Sequence, residues 1–227
     1  MRILELGCGN GALWTENMDK LPSGVQVVLS DISEGMIRDA RRAVAEAYTE
    51  GDGLSSHAES FFFETFDCVN IPYPDSSFDL VVANHLLFYC DNIEVVCREV
   101  KRVLKTGGRF LCSTYGSKHM KEITHLVQAF DKRIVLAAED LYELFGLENG
   151  DKMLDKVFDE VSLVRYEDEI RINEPEPLLE YILSCHGNQN QILLDKYKEF
   201  KAFVTEKTRY GFRITKDAGA FIAQKHE

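Results

Sequence analysis

The stretch ILELGCGNGA, residues 3–12, limits what this chain can fold into more than any other. Residues 3–6 read as a short apolar strand broken only by Glu5, Gly7 to Gly11 make a turn, and a helix is predicted over residues 12–20. Strand, glycine turn and helix in that order begin an alternating α/β fold. Missing β-carbons let a ligand approach the turn backbone, and the first N–H groups of the helix offer positive potential to an anion. That anion could be a pyrophosphate or a carboxylate. Taken alone, Gly7, Gly9 and Ala12 satisfy the loose dinucleotide pattern, and Asp31 stands about 20 residues on, where an acid takes a ribose diol.

The same rhythm continues downstream. Strands are predicted over residues 25–30, 61–66, 78–84 and 109–116, with a helix carrying Met36 to Ala47 behind a Ser33 cap and another over residues 93–104. A polar loop is expected over residues 51–60, and Lys105-Thr106-Gly107-Gly108 is expected to end the second helix. These alternations predict a doubly wound, mostly parallel sheet covered by helices on both faces. Beyond residue 116, helices are predicted over residues 118–130, 138–145, after Pro175, and over 192–207, with a strand over 161–172. Residues 211–225 read as two strand pieces around a turn at 216–219, or as one bulged strand. The expected organisation is one domain: a cofactor-binding half over residues 1–116, cap helices and a sixth strand over 117–208, and the terminal strand over 209–227.

Charge narrows the partners. A formal net charge of −12 over 227 residues repels a nucleic-acid backbone or an anionic membrane surface. Residues 139–180 hold fourteen acids against four bases, which reads first as a solvated face and second as a surface for a cationic ligand. The six cysteines show no C-x-x-C pair and no Cys/His cluster at zinc-ligand spacing, so neither a structural metal nor a disulfide framework is expected. With no signal-peptide pattern and no apolar run of roughly 20 residues, the sequence predicts a reduced, cytoplasmic, soluble protein.

Motif context separates the ligands that the glycine loop alone leaves open. ILELGCGNG resembles the first motif of class I S-adenosylmethionine-dependent methyltransferases of the type-11/25 kind, with an acid two positions before the first glycine and glycines at every second position. FDCVNIPYPDSSFDLVVANH resembles that family's third and fourth motifs, and EVKRVLKTGGRFLCST its helix, Gly-Gly turn and fifth strand. The resemblance covers about half the chain, with four motifs in register. It implies S-adenosyl-L-methionine as cofactor, held by Glu5, Gly7, Cys8, Gly9 and Gly11, with Asp31 on the ribose and Ile32 and Met36 beside the adenine. It places Asp67 and Cys68 at the adenine edge, and Asn84 at the methionine moiety, and it implies a seven-stranded sheet with a helical cap and an antiparallel terminal strand. Bland readings stand beside these: a capping acid at Asp31, core packing at Met36 and Trp14, and backbone satisfaction at Glu5.

Methyl transfer is an in-line displacement, so alignment and exclusion of water are the chief requirements and no covalent catalyst is needed. A general base helps only an acceptor that must lose a proton. His85, Tyr115 and His119, with Tyr89 nearby, are expected near the reactive end, and His119 could pair with Glu122. The expected partner is a small molecule, with O-, N- or C-methylation open, with no nucleic acid or membrane, and with a homodimer compatible. Family members usually carry helices before the first strand, so this start implies an open pocket, cover by a partner or by the cap, or a start that is not the natural one. The competing classes are an NAD-dependent oxidoreductase and a non-catalytic S-adenosylmethionine-binding remnant.

Overall fold

Apolar residues on both sides of each central strand dictate a sheet covered on two faces. In a computed structural model, which describes residues 1–50, 60–137 and 140–226, Ile3, Val27 and Leu29 pack with Trp14, Ile37, Ala40 and Val44. Their alternating neighbours Leu4, Leu6 and Val28 are just as buried. The strands are β1 (Arg2–Leu6), β2 (Gln26–Asp31), β3 (Phe61–Thr65), β4 (Phe78–Asn84), β5 (Leu104–Tyr115), β6 (Glu160–Ile172) and β7 (Phe212–Gln224), in the order β3-β2-β1-β4-β5-β7-β6. The pairs β1–β2, β1–β4, β2–β3 and β4–β5 are parallel. β7 runs against β5: Gly107 and Gly108 exchange backbone bonds with Lys225, and the Gly116 N–H donates to the Asp217 carbonyl. The seven-stranded, mostly parallel sheet is the expected one.

The chain divides into two compact units. The first comprises Met1–Thr114, Asn149–Val164 and Ala220–Glu227. It holds α1 (Ala12–Thr15), α2 (Glu34–Glu50), α3 (Ile93–Val103) and α6 (Gly150–Leu154). The second comprises Tyr115–Glu148 and Arg165–Gly219, with α4 (Lys121–Phe130), α5 (Leu141–Leu144), α7 (Pro175–Ser184), α8 (Gln189–Leu193) and α9 (Tyr197–Thr208). Its own core joins Ile123 and Val127 of α4, Leu179 and Ile182 of α7, Phe200 and Val204 of α9, and Ile214 of β7. No helix among the described residues is long and apolar enough to cross a membrane.

Several expected boundaries move, each for a local reason. The helix predicted over 12–20 stops at Thr15, because Asn17 leaves helical geometry (φ −126°) and its side-chain amide donates to the Leu13 carbonyl, before a 3-10 turn at Met18–Lys20. β5 begins at Leu104, earlier than expected. The Gly-Gly segment becomes an irregularity inside that strand, with Leu104 opposite Phe78 but Arg109 opposite Leu80, and Gly107 at φ +77°. Met120 at φ +53° delays α4 to Lys121, and the helix expected over 192–207 is two, broken where Lys196 leaves helical φ. No turn forms at residues 216–219: Asp217 is 3% exposed and ion-paired to Arg165 at 3.1 Å, which keeps β7 extended. The expected loop at residues 51–60, apart from Ser60, and the first two residues of the helix expected over 138–145 lie outside the described residues.

Gly11 joins β1 to α1 at φ +78°, and a β-carbon there would stand 3.2 Å from the Ala40 β-carbon. Left-handed backbone costs a non-glycine residue about 1–2 kcal/mol. Gly11→Ala is therefore expected to lower Tm by roughly 2–8 °C in a thermal melt; an unchanged Tm would show that the turn relaxes without loss.

Candidate functional site

The carboxyl ends of β1, β2 and β4 converge where the strand order reverses, the position at which open α/β sheets bind ligands. Gly7 follows β1 at φ +65°, and a β-carbon on it would fall 2.8 Å from a Leu86 methyl carbon. Gly9, at φ +53°, has nothing within 4 Å of where its β-carbon would stand, so its backbone faces open space. The Asp31 carboxylate organises this loop. One oxygen accepts from the Gly9 N–H at 3.1 Å and the other from the Ser33 N–H at 2.9 Å. The Ser33 hydroxyl in turn accepts from the Met36 N–H, which caps α2 as expected.

A cavity of about 300 Å³ opens beside this loop, at the low end of the range for small-molecule sites. Gly7, Ser30, Asp31, Ile32, Phe66, Asp67, Cys68, Val69, Leu86, Tyr89, Cys90 and Asp91 line it. Among the described residues its charged lining is three aspartates, with no lysine or arginine. Six sequence-predicted residues thus meet at one cavity: Gly7, Asp31, Ile32, Asp67, Cys68 and Tyr89. Gly9, Cys8 and Gly11 complete the loop without lining it, and Met36, 43% exposed on α2, stands outside the lining. Cys8 is buried, and burial pushes its thiol up to about 12.

Behind the loop lies a buried polar cluster. Glu5 is 2% exposed, and its carboxyl accepts from the Trp14 indole N–H at 2.6 Å and from the Asn84 side chain. The Ser113 hydroxyl donates to Asn84 Oδ1 at 3.0 Å, and the Ser30 hydroxyl to the Glu5 backbone carbonyl at 2.7 Å. Burial raises the Glu5 pKa to about 7, the two side-chain hydrogen bonds oppose the rise, and the Asp31 charge adds to it. Trp14 therefore packs and donates to Glu5.

The residues expected near a reactive end fall in both units. His85 follows β4 at φ +48°, its N–H directed at the Ser113 carbonyl at 3.2 Å and its ring tilted against Phe88; it is outside the cavity lining. In the second unit, the Tyr115 and His119 rings stack at 5.1 Å, and His119 Nδ1 accepts from the Asp217 N–H at 3.2 Å. The pairing considered for Glu122 is replaced: its carboxylate accepts from the Thr215 N–H at 3.0 Å and hydroxyl at 2.6 Å. Tyr115 and His119 line a second cavity of about 270 Å³, with Met120, Ile123, Leu136, Leu141, Tyr142 and Tyr181 among its walls. Among the described residues of that lining, Asp140 is the one carboxylate and there is no lysine or arginine.

Sequence reasoning overlooked Leu86, Cys90 and Asp91. The strand-end position of the segment after β4 marks His85 and Tyr89, but those three match no glycine or acid pattern.

Against known proteins, residues 4–112 match the family described as a methyltransferase domain. The chain is 32% identical over 110 residues to a demethylmenaquinone methyltransferase of Symbiobacterium thermophilum, covering 48% of this chain and 41% of that protein. It is 30% identical over 125 residues to a malonyl-[acyl-carrier protein] O-methyltransferase of Erwinia pyrifoliae, covering 55% and 41%. The match thus spans about two fifths of the length of these relatives. The crystal structure of a Bacillus halodurans protein superposes with a TM-score of 0.64 at 18% identity, covering 100% of this chain and 93% of that one, which is a likeness of fold.

Proposed function

We propose that this protein, whose residues 4–112 match a methyltransferase domain, transfers a methyl group from S-adenosylmethionine to a small-molecule acceptor. The observation that carries the reading is the charge of the first cavity: among its described residues, three aspartates and no cationic side chain. A ligand bearing a sulfonium and an ammonium suits that field, whereas a pyrophosphate would be repelled by it. Asp31 holds the ribose hydroxyls, Asp67 and Cys68 the adenine edge, and Ile32 with Met36 its face. The loop at Gly7, Cys8, Gly9 and Gly11 approaches the methionine carboxylate through backbone, with Glu5 and Asn84 supporting it from behind.

Bound S-adenosylmethionine supplies a methyl group on a positively charged sulfur. The chain's own residues align an acceptor and exclude water, a contribution of about 7–11 kcal/mol where the fit is good. Taken by itself, the cavity of the second unit offers tyrosine faces, apolar side chains and, among its described residues, the Asp140 carboxylate, a lining that suits an uncharged or cationic body. His119 Nδ1 accepts from the Asp217 N–H, and Tyr115 stacks on that ring and holds its plane. His85 lies at the β4 end as the candidate to receive a proton when the acceptor must lose one.

A thermal-shift comparison tests the reading. S-adenosylmethionine and S-adenosylhomocysteine at 100 times their Kd are expected to stabilise by about 2.7 kcal/mol, a rise of roughly 5–10 °C, and NAD to leave Tm unmoved. Stabilisation by NAD alone would overturn it.

A further inference from the structure

Two thiols stand together in the wall of the first cavity. Cys68 lies in the turn after Asp67, and Cys90 directly follows the 3-10 turn Leu87–Tyr89. Their sulfurs are 3.7 Å apart and share a hydrogen bond, both residues are half-buried, and both line the cavity. The neighbouring Cys97 and Cys112 are fully buried by contrast. None of the expected cofactor contacts accounts for a second thiol at this point.

We propose that Cys68 and Cys90 form a hydroperoxide-reactive dithiol whose oxidation to a disulfide shuts the cofactor cavity. The inference rests on the reading that this cavity holds S-adenosylmethionine. A disulfide needs the sulfurs about 2.05 Å apart, so they must close by about 1.7 Å, within reach of side-chain rotation in two non-regular segments. Chemically, the Cys90 sulfur attacks the O–O bond of a hydroperoxide ROOH, giving the sulfenic acid and ROH. Cys68 then attacks that sulfur, forming the S–S bond and releasing water; two thiols are oxidised and one peroxide bond is reduced. The hydrogen bond from Cys68 holds the Cys90 thiol below its ordinary range, against burial and the charges of Asp67 and Asp91, which favours Cys90 as the attacking group. The bond would tie the turn after Asp67 to the segment between Tyr89 and Asp91 and fix the cavity's shape around two joined sulfurs.

Linkage makes the effect reciprocal: a disulfide that weakens cofactor binding tenfold is itself disfavoured tenfold by bound cofactor, about 30 mV for a two-electron couple. The test treats the full chain with hydrogen peroxide, identifies linked peptides by mass spectrometry after alkylation, and measures S-adenosylhomocysteine affinity by calorimetry before and after. The expected result is a Cys68–Cys90 linkage, a Kd raised roughly tenfold, recovery with dithiothreitol, and slower oxidation when S-adenosylhomocysteine is present. Cys90→Ser should show the same affinity with and without peroxide. Failure of the linkage to form, or an unchanged Kd in a linked chain whose reduced form binds, overturns the proposal. A chain that forms the linkage yet binds S-adenosylhomocysteine in neither state overturns the cofactor reading and the gating with it, while the linked peptide still establishes the dithiol.

Discussion

Asp31→Ala is expected to weaken S-adenosylhomocysteine binding about a hundredfold, the equivalent of about 2.7 kcal/mol. Two effects combine in that figure. The carboxylate is proposed to accept the ribose hydroxyls, and it also accepts from the Gly9 and Ser33 N–H groups at 3.1 and 2.9 Å. A hydrogen bond to a charged group contributes about 1.5–3 kcal/mol. Without the carboxylate, the Gly9 N–H loses its acceptor in a left-handed turn, and the loop that faces the ligand loses its tie to the start of α2. Asp31→Asn retains one acceptor oxygen and should lose roughly tenfold. Calorimetry on variants that keep the wild-type near-ultraviolet circular dichroism separates lost contact from lost fold. An Asp31→Ala variant that binds as tightly as the parent would remove Asp31 from the cofactor site.

The fold was legible where one residue pattern served one structural demand. Val27, Val28 and Leu29 are buried on both faces of a parallel sheet, so a continuous apolar run identified β2 to within a residue. The boundaries that moved depend on interactions no local pattern carries. Asp217 looks like a turn residue until Arg165, distant in sequence, pairs with it and keeps it in a strand. Gly107 and Gly108 look like a helix stop, yet their neighbours pair with β4 on both sides, which only the register of two strands decides. At the cavity, Gly7, Asp31 and Asp67 announced themselves because left-handed backbone and carboxylates at or just past strand ends restrict residue type. Leu86, Cys90 and Asp91 enter through the path of the chain after β4, and many side chains could serve there. Glu5 was read as a cofactor contact or a satisfier of backbone; its bond to Trp14, nine positions on, required the loop to fold back over β1.

That buried carboxyl leads to the second large expectation. Folding raises the Glu5 pKa from 4.5 to about 7, chiefly through burial. The folded state thus holds a proton that the unfolded chain gives up near pH 4.5. Below that pH both states are protonated and the favourable contribution is whole. As pH rises toward 7 the folded state loses this advantage progressively, and beyond it the loss levels off at about 3 kcal/mol. Glu5→Gln keeps an oxygen to accept from the Trp14 indole but cannot ionise. Denaturant unfolding, followed by the fluorescence of this lone tryptophan, should therefore show the variant gaining roughly 2–3 kcal/mol on the wild type between pH 5 and pH 8. Stability curves that run parallel over that interval would mean that Glu5 ionises in the fold as it does in the open chain. Glu5→Ala distinguishes charge from contact, since it removes the same titration but strands the indole N–H, and should be less stable than Glu5→Gln at every pH by about 1–3 kcal/mol. The charge behind the glycine loop then becomes a separable quantity. If Glu5→Gln binds S-adenosylhomocysteine as the parent does, Glu5 serves the loop through Trp14 and Asn84; if affinity falls while stability rises, its negative charge belongs to the ligand's field.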